Sequence, residues 1–122
     1  MIVINNSLYG QSDRFRRLAS TYGLHLPYFY IIEGMVSESE LITLKRRYKL
    51  TILPVMNEAD QQAADLLHYR CRKLSVREAK ILVLAKKHKI ELLLHDSALR
   101  LVCKAEGVEI LDDHIDDEIG SK

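Results

Sequence analysis

Three acidic residues in this sequence fall where a metal-dependent reaction could take place. Glu33, Glu78 and Asp96 each lie at or near the carboxyl edge of a predicted parallel sheet, where open α/β proteins bind their ligands. Carboxylates that converge there repel one another unless a cation neutralises them. Mg²⁺ and Mn²⁺ prefer oxygen ligands of this kind. The pattern therefore indicates a divalent metal site that could activate water against a phosphodiester.

Each of these acids also has a structural explanation that needs no metal. Ser75 and Glu78 have the spacing of a capping box, in which the glutamate closes the start of a helix. Asp96 is placed to cap a helix that starts at Ser97, and Glu33 fits a solvated helix face. From the residues alone the structural explanation is the simpler one for each acid, so the choice stays open.

The stretch 74–100 holds the strongest structural signals in the chain. Ser75 opens an apolar helix, and the basic residues 86–89 fit its last turn, where cations suit the helix dipole. Because the helix is apolar over more than one face, we expect it to be buried on two sides. Residues 90–94 form an uninterrupted apolar run, as expected of a buried parallel strand. These elements position Glu78 and Asp96.

The rest of the chain alternates between helices and strands. The patterns predict strands at residues 1–4, 24–26, 51–55, 90–94 and 108–111, and helices at 12–22, 28–33, 37–49, 57–72, 75–89 and 97–106. This order predicts an α/β fold in three layers, with a mainly parallel sheet of four or five strands. Because proline has no N–H to donate, Pro54 indicates that the strand at residues 51–55 lies at an edge of the sheet. Two helices separate the third and fourth strands, so we expect the first of them to turn back or lie obliquely.

Charge is distributed unevenly along this chain of 122 residues. Residues 1–106 hold 17 Lys and Arg against 11 Asp and Glu, whereas residues 107–122 hold one Lys and six acids. We therefore expect one domain over residues 1–111 and a flexible acidic tail over residues 112–122. The basic residues form three clusters, around Arg17, Arg46 and Arg72. Such clusters can bind the phosphates of a nucleic acid, or they can simply solvate helix faces.

Location is indicated by what the sequence lacks. No apolar run approaches the roughly 20 residues that a bilayer span needs, and the apolar start gives way at once to Asn5 without a signal-peptide pattern. Cys71 and Cys103 have no metal or redox spacing, so we expect two free thiols. These features predict a cytoplasmic protein with no membrane partner.

Several stretches together resemble one known family, the PIN-domain nucleases. The family opens with a strand that ends in Asp-x-Ser, and residues 2–7 (IVINNS) occupy that place. A strand, a proline and a later glutamate match residues 26–33. Leu-Ser-x-x-Asp/Glu-Ala matches residues 74–79, and an apolar strand that leads through an acid to Leu-Arg matches residues 92–100. The Gly-Val that follows the last helix is Gly107-Val108. The sequence is especially similar to the toxin ribonucleases of bacterial and archaeal toxin–antitoxin pairs.

The resemblance implies a fold, an activity and a set of partners. It implies a PIN-like parallel α/β fold and Mg²⁺- or Mn²⁺-dependent cleavage of RNA. The implied metal-site and catalytic residues are Asn5, Glu33, Glu78 and Asp96, with Ser7 in support. It also implies a homodimer and an antitoxin protein as partners. We expect the RNA backbone to be held by basic residues, namely Arg14, Arg17, Arg46, Arg72, Arg77 and Arg100.

Position 5 departs from the family. Asn5 stands where the family has its first catalytic aspartate. Asparagine keeps an acceptor oxygen but lacks the negative charge that attracts a metal ion. Two hypotheses follow. The chain is either a weakened endoribonuclease, or a catalytically inactive PIN-like domain that binds RNA or a protein partner.

Overall fold

The computed structural model describes residues 1–3, 13–94 and 97–112, which fold as an α/β protein. The elements are β1 Ile2–Val3, α1 Asp13–Tyr22, β2 Leu24–Pro27, α2 Tyr28–Ile32, α3 Glu38–Arg47, β3 Leu50–Leu53, α4 Glu58–Arg70, α5 Val76–His88, β4 Leu92–Leu94, α6 Ser97–Glu106 and β5 Ile110–Asp112. This order of elements is the predicted one. Helices therefore connect parallel strands throughout the described part of the chain.

The strands form two parallel sheets. One has the order β1-β4-β5, with Val3 paired to Leu93 and Leu94 paired to Asp112, and the other pairs β2 with β3. The sequence predicted four or five strands in one sheet, whereas the larger sheet has three. The two sheets adjoin at Met1, whose amino group donates to the Gly23 carbonyl at 2.8 Å and whose carbonyl accepts from the His25 N–H at 2.8 Å.

The edge position of β3 agrees with the prediction from Pro54. Among the described residues β3 pairs only with β2. The strand ends at Leu53, so Pro54 follows it rather than lying within it. Proline has no N–H to give to a sheet, which makes the end of an edge strand a suitable place for it.

Side-chain caps set the helix starts that the sequence predicted. Ser37 and Ser75 both form complete capping boxes, with Glu40 and Glu78 respectively. The Asn57 side chain accepts from the Asp60 N–H at 2.8 Å at the start of α4. These bonds satisfy backbone donors that the first helical turn leaves without partners.

The last strand begins two residues later than predicted, at Ile110. Gly107 has a φ of +75°, and its N–H donates to the Lys104 carbonyl at 3.2 Å. The Val108 N–H donates to the Cys103 carbonyl at 2.9 Å. This is the Schellman arrangement of a helix C-terminus. Val108 therefore completes α6 instead of opening β5.

Helices α4 and α5 form an antiparallel hairpin, which explains how two helices fit between β3 and β4. Lys87 in the last turn of α5 pairs with Asp60 in the first turn of α4, at 2.7 Å. At the other end, His68 of α4 lies 2.8 Å from the Leu74 carbonyl oxygen that precedes α5. The chain therefore turns back after α4, which confirms one of the two predicted alternatives.

The core lies between α5 and the strands. The five buried residues of α5 are Ala79, Ile81, Leu82, Leu84 and Ala85, which confirms its predicted burial over more than one face. Ile2, Val3 and Leu92 are completely buried in the sheet. The buried side chains of α5 therefore belong to the same hydrophobic core as those of the strands. Within residues 1–3, 13–94 and 97–112, no helix combines the length and the apolar character that crossing a membrane requires.

Candidate acidic site at the carboxyl edge of the sheet

Glu33 and Arg77 form an ion pair that joins α2 to α5. Arg77 Nη2 donates to Glu33 Oε1 at 3.1 Å, and the side chains are 46% and 38% exposed. Glu33 is the C-terminal cap residue of α2, and Arg77 is the second residue of α5. The structure thus brings a predicted metal ligand and a predicted RNA-binding residue together.

Glu78 has the capping role that its spacing predicted. The Ser75 N–H donates to Glu78 Oε1 at 2.8 Å, and the Glu78 N–H donates to Ser75 Oγ at 3.0 Å. A carboxylate has two oxygens that each accept more than one bond. Capping through Oε1 is therefore compatible with a second ligand. Because Glu78 follows Arg77 in the same helical turn, the α5 N-terminus carries both Glu78 and the partner of Glu33.

A buried tyrosine fixes α2 to the end of β1. The Tyr30 side chain is fully buried, and its hydroxyl donates to the Val3 carbonyl oxygen at 2.8 Å. Val3 is the last residue of β1 and precedes Asn5 by two positions. Glu33 lies one helical turn beyond Tyr30, and its N–H donates to the Phe29 carbonyl at 2.9 Å. The α2 C-terminus is therefore tied to the edge at which the chain leaves β1.

The register of the larger sheet brings three strand ends to this same edge. Val3 of β1 pairs with Leu93 of β4, and Leu94 pairs with Asp112 of β5. Asp112 was assigned to the tail in the sequence analysis, yet it is the last residue of β5. An acid directly after an apolar run was the available signal, and it was missed because the predicted strand ended at Leu111, one residue too early.

Two of the four predicted metal ligands, Asn5 and Asp96, lie outside the described residues, as does Ser7. Within 1–3, 13–94 and 97–112, no three His, Cys, Asp or Glu side chains form a group that could hold a metal ion. The predicted donor set consists of carboxylate oxygens and one amide oxygen. That chemistry fits a hard divalent ion such as Mg²⁺ or Mn²⁺.

Two of the predicted RNA-binding arginines lie at the α4–α5 connection or beside it. Arg77 makes the ion pair with Glu33, and the Arg72 guanidinium lies 5.3 Å from the centre of the exposed Tyr69 ring. Tyr69 is 70% exposed. An arginine held over an exposed aromatic ring is a combination that binds single-stranded nucleic acid in other proteins.

The remaining predicted arginines are spread over three helices. Arg100 lies in the first half of α6, which starts near the carboxyl edge, and Arg17 lies in the middle of α1. Arg46 is in the last turn of α3, just before the amino end of β3, at the edge opposite to Glu33. The side chain of Arg14 lies outside the described part of the chain. The structure therefore groups Arg72 and Arg77 and separates Arg46 from them.

Three groups with displaced pKa values lie away from this edge. Burial lowers the pKa of the Met1 amino group, and it lowers the pKa of His25, whose Nδ1 lies 3.0 Å from that amine. Burial also raises the pKa of the Cys103 thiol to about 11. Cys71 and Cys103 are both free, as predicted.

Comparison with known proteins adds no relative to this picture. No protein-family model matches the sequence, and no curated protein matches it either. Function is therefore inferred from the geometry of the carboxyl edge and from the chemistry of its residues.

Proposed function

We propose that this protein is a PIN-like, Mg²⁺- or Mn²⁺-dependent endoribonuclease, and the toxin of a toxin–antitoxin pair. The observation that carries the proposal is the link from Val3 through Tyr30 and Glu33 to Arg77, beside Glu78. That link supports a site formed by two acids and an arginine at the edge where parallel α/β proteins bind ligands. The toxin assignment, with an antitoxin and a homodimer as assembly partners, rests on the family resemblance.

The PIN-like fold in this proposal has three layers and one sheet in the order β3-β2-β1-β4-β5. The two hydrogen bonds of Met1 support this order. The Met1 amino group donates to Gly23 and the Met1 carbonyl accepts from His25, which is the hydrogen-bond pattern of two adjacent parallel strands. In such an order the chain turns away in opposite directions from β1 and β4. The crevice between their carboxyl ends is then the expected ligand site.

Two of the four proposed ligands come two residues after strands that end at this crevice. Asn5 follows Val3 by two residues, and Asp96 follows Leu94 by two. Strands β1 and β4 both end at this carboxyl edge, which is why the two residues that follow them are proposed as ligands. Asp112 ends β5 at this edge and is a further candidate.

The proposed chemistry assigns separate roles to the acids and the arginines. Glu33, Glu78 and Asp96 would hold the ion with the amide oxygen of Asn5; a bound ion lowers the pKa of water and offsets charge on the phosphodiester. Arg77 pairs with Glu33 and offers a planar guanidinium that suits a phosphate. Arg100 and Arg72 would hold the RNA backbone, together with Arg17, Arg14 and Arg46.

The proposal is tested by comparing the chain with its Asn5→Asp variant. Both would be incubated with several RNAs in Mg²⁺ or Mn²⁺, and products would be separated by gel. We expect cleavage to rise by at least about tenfold in the variant, since even an outer-shell change typically alters a metal site by that factor. Glu58→Gln, an exposed acid in the first turn of α4, is the matched control. Absence of cleavage in both proteins would rule out an active nuclease.

The alternative is a catalytically inactive PIN-like domain that binds RNA or a protein partner. Asn5 lacks the first negative charge, and Glu33 is already neutralised by Arg77. Both features weaken the attraction for a divalent ion. Calorimetric titration with millimolar Mn²⁺ separates the two functions, because the inactive domain takes up no ion whereas the nuclease does.

A further inference from the structure

A cleft opens on the side of the Glu33–Arg77 pair that faces β3. Its volume is about 120 Å³, and it is lined by Tyr28, Phe29, Ile32, Pro54, Val55, Met56, Gln61 and Lys80. The walls come from α2, from the segment that follows β3, and from α4 and α5. Ile32 and Val55 are 65% and 64% exposed, and Tyr28 is 39% exposed. Apolar side chains are thus left open to solvent around one small depression.

The cleft is apolar on its walls and carries polar groups at two points. Lys80 Nζ lies 5.5 Å from the centre of the Phe29 ring. The Gln61 side-chain amide donates to the Met56 carbonyl at 3.2 Å, which holds the amide in place and leaves its oxygen as an acceptor. A cavity of roughly 150 Å³ accommodates a benzene ring, so this open cleft is large enough for part of a flat ring system.

The cleft and the candidate acidic site share the same two helices. On α2, Phe29 lies one turn before Glu33, and its carbonyl oxygen accepts a hydrogen bond from the Glu33 N–H at 2.9 Å. On α5, Lys80 lies one turn after Arg77. Two cations, Arg77 and Lys80, are therefore neighbours on α5, and Lys80 is the one that lines the cleft.

We infer that this cleft binds one unpaired base of the RNA held at the acidic site. The inference deepens the proposed function and rests on it. Proteins that bind single strands combine cations along the phosphates with aromatic side chains on which bases stack, and Arg77, Lys80, Tyr28 and Phe29 supply that combination here. The cations favour a polyanion over an uncharged protein segment as the occupant.

The experiment is an abasic scan of a short single-stranded RNA, read by fluorescence anisotropy in EDTA so that no cleavage occurs. Each hexamer lacks the base at one position. We expect one position at which base loss weakens binding by about fivefold or more. In the Tyr28→Ala and Lys80→Gln variants that penalty disappears, whereas Tyr28→Phe retains it. Tyr22→Ala and Lys86→Gln change an exposed tyrosine and an exposed lysine elsewhere, the lysine at the far end of α5, and serve as controls.

The outcomes separate this inference from the nuclease proposal. A position-specific penalty that depends on Tyr28 supports the cleft, even if Mn²⁺ produces no cleavage. Cleavage by the protein combined with a flat abasic scan overturns the cleft alone. The cleft is also overturned if the variants leave RNA binding unchanged while Val55→Asp alters the mass in size-exclusion chromatography, because the surface is then a protein contact.

Discussion

The Tyr30 hydroxyl donates to the Val3 carbonyl oxygen at 2.8 Å from a completely buried position. The two residues are 27 positions apart, and the bond ties α2 to the end of β1. Tyr30→Phe keeps the ring but leaves a buried carbonyl oxygen without this donor. The cost expected from an unsatisfied buried acceptor is about 1–3 kcal/mol.

Urea unfolding of Tyr30→Phe measures that cost, with Tyr28→Phe, partly exposed on the same helix, as the control. We also expect RNA cleavage to fall, because Glu33 is positioned through this helix. If Tyr30→Phe were as stable as the parent protein, the bond would contribute no net stability and α2 would be held by packing alone.

The ion pair of Glu33 and Arg77 is expected to matter little for stability and much for binding. Both side chains are more than one-third exposed, so the pair contributes at most about 1 kcal/mol. Arg77→Gln removes a cation that competes with a metal ion for Glu33. We expect Mn²⁺ to bind up to about fivefold more tightly, in line with an energy of up to about 1 kcal/mol, while RNA binds more weakly.

Calorimetry with Mn²⁺ and anisotropy with RNA measure these two effects separately. The double variant Arg77→Gln, Glu33→Gln should lose the gain in metal affinity. Lys86→Gln removes an exposed cation from the last turn of α5, at the other end of the same helix, and controls for net charge. Unchanged Mn²⁺ affinity in Arg77→Gln would remove Glu33 from the proposed metal site.

Glu78 allows its structural role to be separated from its proposed chemical role. Glutamine also serves in a capping box, so Glu78→Gln should keep nearly the full free energy of unfolding. The same change removes a negative charge from the proposed site, so Mn²⁺ binding and cleavage should fall. Glu40→Gln makes the same change in the capping box of α3 and serves as the control. Ser75→Ala removes the cap itself and should cost about 1 kcal/mol. Full cleavage by Glu78→Gln would leave Glu78 a capping residue only.

Local patterns in the sequence were sufficient to predict the order of the helices and strands. The capping box of Ser75 and Glu78 depends on residues three positions apart, and it forms as predicted. The pair of Glu33 and Arg77 spans 44 positions and could not be predicted in this way. Its formation depends on where Tyr30 anchors α2, which is a tertiary contact without a local sequence signal.

The last strand shows how a local competition misled the prediction. Val108 is apolar and continues into Ile110 and Leu111, which favours a strand from residue 108. Its N–H is instead used by the end of α6, at the Cys103 carbonyl. The predicted strand also ended one residue too early, at Leu111, so Asp112 fell in the predicted tail, although its register opposite Leu94 puts it at the carboxyl edge.

His25 is expected to make stability depend on pH. Burial lowers its pKa from 6.5, the nearby Met1 amino group lowers it further, and Glu91 partly opposes this effect. The unfolded chain therefore binds a proton at a higher pH than the folded protein does. Stability should fall as the pH drops below about 6.5. The free energy of unfolding, measured in urea between pH 5 and 8, should change less steeply with pH in His25→Gln than in the parent protein. An equal slope in both proteins would exclude His25 as the source.

The two cysteines are expected to differ sharply in reactivity. Cys103 is completely buried in α6, and burial raises its pKa to about 11, whereas Cys71 is partly exposed after α4. Because the thiolate is the reactive form, the folded protein should be alkylated by iodoacetamide at Cys71 and not at Cys103. Mass spectrometry of Cys71→Ser isolates the second thiol, which should react only after urea is added. Rapid labelling of folded Cys71→Ser would contradict this expectation. It would show that α6 separates from the sheet often enough to expose Cys103 to the reagent.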